Sequence, residues 1–268
     1  MMKLCLCGLG RAGVQIAKYL LARKDVKLVS ACSSSNSKKI GKDLGEILDC
    51  RDTGVIVQSP ASIQSEQRNT IPDVVIDFST PTAALENAEI FSKMKINIVM
   101  GTTGFTENEE EKLSVLVQKH NNGLIYAPNI TRGVNVMMLL TELSSRLLEN
   151  YDVEIVEMHH KYKMDKPSGT AQKISQVLNK HQLRNKDISI SSVRAGGIIG
   201  FHKVIMAGEN DKIEISHESF SRKAFAEGAL QAAEFIYHKR GIYKMRDMFN
   251  FEEVLADYIS EKQVTSGV

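Results

Sequence analysis

Apolar positions change their spacing partway along this chain, and the change divides it into two halves. In the first half, apolar runs of strand length, "KLCLC", "VKLVSAC", "DVVIDFS" (73–79) and "INIVMG" (96–101), alternate with stretches whose apolar residues recur at helical spacing. Val14, Ala17, Leu20 and Leu21 mark the first of these helical stretches. Runs that are apolar on both sides suit central strands of a parallel sheet covered by helices on both faces. Strand–helix alternation is also how such a sheet is connected. Thr80 followed by Pro81, and Thr106 followed by Glu107 and Glu109, predict helix starts directly after two of the strands. "GLIYAPN" (123–129) predicts the last strand of this half.

From about residue 130 the pattern differs. "VNVMMLLTELSSRLL" predicts an amphipathic helix, "YDVEIVEMHH" a strand and "GTAQKISQVLNKH" a helix. "ISISSVRAG", "HKVIMAGE" and "KIEISHES" then follow as three strands close together, with turn signals such as "GEND" between them. "SRKAFAEGALQAAEFIYHK" is strongly helical, and the tail carries more helical pattern. The expected fold class is α/β: a Rossmann-like parallel sheet domain plus a second α+β domain with a mixed, largely antiparallel sheet.

Composition narrows the function classes. A chain of 268 residues with 43% apolar and 25% charged residues can bury one large core or two moderate ones, as ordinary globular proteins do. A net charge of +2 lacks the domain-scale basic excess of nucleic-acid binders, so any cationic chemistry is local. There is no run of about 18 apolar residues, and "MMKLCLCGLGRAG" reaches glycine too early for the apolar core of a signal peptide. The expectation is a cytoplasmic protein with neither nucleic acid nor membrane as partner. Cys5, Cys7, Cys32 and Cys50 lack Cys-x-x-Cys spacing and are expected to be reduced, small and buried, with no metal site.

Two stretches carry candidate chemistry. "CGLGRAG" sets Gly8, Gly10 and Gly13 in G-x-G-x-x-G spacing between a strand and a helix. There the first glycine allows a tight turn, the second lets backbone approach a pyrophosphate, and the third lets helix pack on strand. The competing reading is a purely structural glycine turn. An acidic residue to hold the ribose diol of NAD is expected about 20 positions on. The chain offers Cys32, Ser33, Ser34, Ser35 and Asn36 there, then Lys38 and Lys39. Hydroxyls backed by lysines suit a 2′-phosphate, which favours NADPH and leaves NADH possible; a polar loop that reads neither is the alternative.

The second stretch is "HHKYKMDKPSGTAQ" (159–172). His159 and His160 end a predicted strand, Lys163 follows in the loop, and Ser168, Gly169 and Thr170 open a helix. Histidine and lysine can donate protons near neutral pH, and a helix start with two hydroxyls offers free donors to an anion. The pattern describes either a pocket for a small dianion with an acid catalyst or a solvated basic loop.

The motifs "GRAG" (10–13), "DFSTP" (77–81), "GTTGF" (101–105), "APNITRGVNV" (127–136), "VEMHHKYKMDKPSGTA" (156–171), "SVRAGGIIGFH" (192–202) and "SFSRKAFAEGAL" (219–230) occur in this order. Together they resemble the 4-hydroxy-tetrahydrodipicolinate reductase (dihydrodipicolinate reductase) family of lysine and diaminopimelate biosynthesis over nearly the whole chain. The resemblance implies an NAD(P)H-dependent reductase of a cyclic imine dicarboxylate. In it His159 is the general acid and Lys163 the second proton donor. His160, Ser168, Gly169 and Thr170 hold the substrate's carboxylates, with Arg222 beside them. It further implies that Gly8, Gly10, Arg11 and Gly13 hold the pyrophosphate side of the cofactor, with Ser33 and Ser34 at its ribose. Gly101, Thr102 and Thr103 would lie near the nicotinamide ribose, and Ala127, Pro128 and Asn129 would line the nicotinamide and the hinge. It implies a dinucleotide-binding domain over 1–126 completed by 222–268, a substrate-binding and oligomerisation domain over 127–221, and a homotetramer.

The chain departs from the family pattern in places. Its first turn is one residue shorter than the usual G-x-x-G-R-M-G. Ser33 and Ser34 stand where an acidic and then a basic residue are common, and Gly197 and Phe201 where acids are usual. The stretch before Ser192 is short. A reductase of another cyclic imine dicarboxylate, or a dinucleotide-sensing protein without turnover, are the competing readings.

Overall fold

The computed structural model describes residues 1–65, 70–179 and 188–265. The apolar runs of the first half form β1 (Met2–Cys7), β2 (Val26–Cys32), β3 (Val57–Gln58), β4 (Val74–Asp77), β5 (Asn97–Met100) and β6 (Gly123–Tyr126). With β11 (Gly241–Lys244), from far along the chain, they make a seven-stranded sheet of order β11-β6-β5-β4-β1-β2-β3 in which every pairing is parallel. β4 and β5 are buried along their whole length, as strands covered on both faces must be.

The covering helices follow the apolar stripes. On one face α1 (Arg11–Leu21) sets Ile16, Ala17 and Leu20 against Leu4, Leu6 and Ile76, beside α7 (Lys223–Ile236). On the other, α3 (Pro81–Lys93) and α4 (Glu107–His120) set Phe91, Leu113 and Val117 against Val75, Ile98 and Met100. Side chains as fully buried as Phe91 each contribute on the order of 1.5–3 kcal/mol. Thr106 caps α4 in a reciprocal arrangement: the Glu109 N–H donates to its hydroxyl at 3.3 Å, and the Thr106 N–H donates to the Glu109 carboxylate at 2.8 Å. Thr80 does precede α3, with Pro81 first in the helix, but its hydroxyl makes no capping bond. Proline has no N–H, so that helix start has one donor fewer to satisfy.

The chain returns to the first sheet through a polar clasp. Asn97 of β5, buried, donates to the carbonyls of Ile236, Tyr237 and Lys239 at 2.6, 3.0 and 3.2 Å, and accepts from the Gly123 N–H at 2.7 Å. One side chain thus ties the end of α7 to two central strands and steers β11 onto the edge of the sheet.

The second sheet holds β7 (Asp152–His159), β8 (Ser189–Arg194), β9 (Phe201–Ala207) and β10 (Lys212–Glu218) in the order β10-β9-β7-β8. β9 is antiparallel to β7 and β10, whereas β8 is parallel to β7. The expected run of three neighbouring strands is therefore split, with β7 inserted between β8 and β9. The reason is α6 (Gly169–Asn179), which connects β7 to β8; a helical crossover returns the chain parallel to the strand it left. The end of the predicted "GTAQKISQVLNKH" helix and most of the short stretch before Ser192 (180–187) lie outside the described residues. α5 (Arg132–Leu147) and α6 cover one face with Met137, Ile174 and Leu178 on Ile155, Val204 and Met206. The short helix α2 (Leu44–Leu48), strand β3 and the C-terminal α8 (Phe251–Thr265) complete the architecture.

Candidate active site

Strand order reverses between β1 and β4, the place where open parallel sheets bind ligands at their carboxyl ends. The glycine turn lies there. Gly8 has φ +89°, and a Cβ on it would stand 2.3 Å from the Phe78 carbonyl oxygen; one on Gly13 would stand 1.8 Å from that of Gly8. Only glycine fits at either. Gly10 faces open space, and α1 begins without a side-chain cap and without an acid in its first turn. Its free N–H groups and positive end suit a pyrophosphate, so the cradle fits a dinucleotide. Ser33 and the exposed Ser34 follow β2, where the Ser33 N–H donates to the Gln58 carbonyl at 3.1 Å. Lys39 reaches back from this loop, its Nζ donating to the Leu9 carbonyl at 2.6 Å.

Asp77, at the end of β4, fastens the neighbouring loops. Its buried carboxylate accepts from the Ser79 N–H (2.9 Å) and hydroxyl (2.6 Å), from Asn87 Nδ2 (2.7 Å) and from the Thr102 hydroxyl (3.0 Å). Burial still pushes this carboxyl up from its ordinary value against those donors. Thr102 is thereby turned inward, while Gly101 and Thr103 on either side of it line the large cavity described next.

That cavity, of about 750 Å³, lies between the two sheets. Arg11 borders it from the glycine turn, and Ala127, Pro128 and Asn129 from the connection between the halves. The opposite wall carries His159, His160 and Lys163, then Ser168, Gly169 and Thr170 at the start of α6; Arg222, ahead of α7, lines the cavity as well. Gly8, Gly10, Gly13, Ser33, Ser34 and Thr102 are not among its lining residues. Asn129 joins the two walls, Nδ2 donating to the Thr170 hydroxyl at 2.9 Å while Oδ1 accepts from Thr131.

His159 is held by Glu157, which the alternation of β7 places on the same face two residues earlier. The His159 Nδ1–H donates to the Glu157 carboxylate at 2.6 Å. Glu157 is fully buried and also accepts from Arg194 at 2.9 and 2.7 Å and from the Ser168 N–H at 3.2 Å. Burial alone would raise the Glu157 carboxyl, but bonds from Arg194, Ser192 and His159 outweigh it and hold it down to about 2. Burial lowers the His159 pKa against the pull of Glu157, and the Lys163 charge lowers it further. With Nδ1–H engaged, Nε2 is the atom left to carry a transferable proton. Burial and then the charges of Arg11, Arg222 and Lys163 lower His160 too, which marks a convergence of positive charge. The Lys163 ammonium is itself paired with Asp165 at 2.7 Å.

Glu157, Arg194, Asp165 and the buried His202 were not singled out from the sequence. For Glu157 the signal was there: a glutamate on the buried face of a strand, two residues from a candidate histidine. Arg194 faces His159 only because β8 pairs with β7. The cysteines also converge beyond what their spacing suggests. Cys5, Cys7 and Cys32 are buried with Sγ atoms within 4.8 Å of one another, whereas Cys50 is exposed. Burial pushes the Cys7 thiol well up, and the bond with Cys5 does the same for Cys32, so both stay protonated. Among the described residues no helix is long and apolar enough to cross a membrane.

A parallel sheet with an open glycine cradle, beside a cavity whose far wall carries an imidazole and an ammonium group, fits the class of dinucleotide-dependent oxidoreductases. Comparison with known proteins gives the particular kind. Residues 2–130 match the family described as dihydrodipicolinate reductase, N-terminus, and residues 133–249 its C-terminus. The 4-hydroxy-tetrahydrodipicolinate reductases of Methanocaldococcus jannaschii (33% identical, covering 95% of this chain and 99% of theirs) and Ralstonia nicotianae (37%, 92% and 99%) are similar along their whole length. The dipicolinate-bound dihydrodipicolinate reductase of Paenisporosarcina sp. TG-14 superposes with a TM-score of 0.75 at 25% identity, over 91% of this chain and 97% of that one. The chain belongs to the dihydrodipicolinate reductase family and is an oxidoreductase.

Proposed function

We propose that this protein reduces 4-hydroxy-tetrahydrodipicolinate to tetrahydrodipicolinate in lysine and diaminopimelate biosynthesis, with NADPH preferred over NADH. One observation carries the reading: His159, Lys163 and the open start of α6 share a cavity with Arg11 and Gly101, beside the glycine cradle. Loss of the substrate's 4-hydroxyl as water leaves a conjugated cyclic imine. Bound reduced nicotinamide supplies the hydride that adds at its ring C4. His159 Nε2, with Lys163 Nζ as second donor, gives a proton to the adjacent ring carbon, where the electron pair of the reduced double bond collects. Glu157 holds the imidazole so that Nε2 faces the cavity, and Ser168, Gly169, Thr170 and His160 hold the carboxylates with Arg222. Thr102, its hydroxyl on Asp77, braces the loop whose Gly101 and Thr103 line the cavity.

Lys38 and Lys39 follow Ser33 and Ser34 in the same loop, with Lys39 drawn to the Leu9 carbonyl, a set that matches an additional phosphate better than a bare diol. The division into a dinucleotide domain (1–126 with 222–268) and a substrate domain (127–221) is supported by the return of α7 and β11 to the first sheet. The outer face of the second sheet, with Val156, Met158 and Ile205 half-buried and Val193 39% exposed, supports assembly into a homotetramer through that face. The test is a coupled assay on freshly condensed aspartate semialdehyde and pyruvate, following NADPH and NADH oxidation separately. Rapid oxidation of NADPH and slower oxidation of NADH is the expected result. Cofactor binding without turnover of either would overturn the reading in favour of a sensor.

A further inference from the structure

We infer that His202 is a positioning residue that turns the Ser168 hydroxyl proton into the cavity, so that Ser168 donates to a substrate carboxylate. The inference rests on the reading above that the cavity takes a cyclic dicarboxylate. His202 lies on β9, 3% exposed, opposite Glu157 in the strand pairing and edge-on to the His159 ring with centroids 5.2 Å apart. Its Nε2 is 3.2 Å from the Ser168 hydroxyl oxygen. Its Nδ1 is buried and has no hydrogen-bond partner among the described residues.

The proton bookkeeping decides the direction of that bond. A hydroxyl has one proton and two acceptor positions. The Ser168 oxygen already accepts from the Ala171 N–H at 3.2 Å, the cap of α6. If His202 carries its proton on Nδ1, the serine donates to Nε2, its proton is consumed, and a buried N–H is left with no acceptor. If the proton is on Nε2, the imidazole donates to the serine, and Nδ1 is left with only a bare lone pair. Orphaned buried N–H groups are rarer and costlier than under-used acceptors. A cationic His202, which would also protonate Nδ1, is opposed by burial and by His159, which hold it at about 3. The remaining arrangement is neutral His202 with Nε2–H donating. Ser168 then accepts twice, from Ala171 and from His202, and its own proton points into the cavity that it lines. It lies there beside the free N–H groups at the start of α6, where a carboxylate oxygen is held by neutral donors. His202 itself does not touch the ligand.

The test combines a spectroscopic readout with a mutant cycle, using dipicolinate as probe on the full chain saturated with NADPH. Nitrogen-15 NMR of the His202 ring should show Nε2 protonated and Nδ1 bare across neutral pH; the opposite tautomer would overturn the inference without any mutation. His202→Leu should weaken dipicolinate and raise KM roughly tenfold with a smaller change in kcat, and His202→Gln, whose amide can donate from a similar place, should recover most of the loss. In a Ser168→Ala background His202→Leu should add nothing. Losses that multiply would sink the inference. If His202→Leu fails to fold, the ring NMR of the wild-type protein still decides. If the wild type shows no turnover, the proposed reaction fails while the NMR and the dipicolinate cycle still report on His202.

Discussion

His159 works under two opposed influences, and they set its pH behaviour. Burial and Lys163 depress its pKa, while Glu157 opposes them through Nδ1. In the free enzyme the proton-donating form is therefore lost as pH rises through a value below 6.5. A substrate bearing two carboxylates favours the imidazolium and moves that value upward. The pH profile of kcat/KM, which reports the free enzyme, should thus fall at lower pH than that of kcat, which reports the complex. His159→Gln should cut kcat by about 10²–10⁴-fold and leave NADPH affinity unchanged; unchanged turnover would remove it from the acid role. His202 gives a stability prediction. Its folded-state pKa of about 3 lies below the ordinary 6.5, so its contribution is complete above pH 6.5 and is lost as pH falls toward 3. The slope is about 1.4 kcal/mol per pH unit for one group, read from urea midpoints across that window, and His202→Gln should reduce it by that share, leaving the part due to the depressed His159, His160 and His217. Glu157, held at about 2 against an ordinary 4.5, adds loss of the same sign at lower pH.

At the scale of elements, loops and helix starts line the cavity, and close packing holds them in place. The loop after β2 offers hydroxyls and lysines where a carboxylate would read a ribose diol. Ser33→Glu should shift the ratio of NADPH to NADH use toward NADH, and Lys39→Ala should weaken NADPH more than NADH; an unaltered ratio in both would place recognition elsewhere. α7 crosses the connection between the halves at Gly228, where a Cβ would stand 2.0 Å from the Ile130 carbonyl oxygen. Gly228→Ala must push the helix away, at a cost of about 1–3 kcal/mol. A lower Tm is expected by calorimetry. The order of strands in the second sheet shows how an element can overrule its neighbours: α6 carries β8 to the far side of β7 although β8 and β9 are adjacent along the chain.

At the scale of the molecule, the glycine turn and the His159–Lys163 stretch belong to different sheets, and Asn129 and Thr170 join the walls by one hydrogen bond. A ligand on one wall that draws the two walls together lowers the cost of binding on the other. Dipicolinate should therefore tighten NADPH binding, and NADPH should tighten dipicolinate by the same factor, measurable by calorimetry in both orders. Equal affinities with and without the second ligand would mean that the two walls bind independently.

Local patterns sufficed for much of this protein. Strand-length apolar runs, glycine spacing, the Thr106–Glu109 cap and the compact "HHKYKMDKPSGT" stretch each describe short-range geometry, which a few adjacent residues determine by themselves. Other features depended on residues far apart in the chain. The Asn97 clasp that draws β11 home, Arg194 against Glu157, His202 against Ser168 and the meeting of three cysteines all arise from strand order. Strand order is settled by which crossovers bury the most apolar surface while leaving few buried polar groups unpaired, a condition on the whole chain that no short window contains.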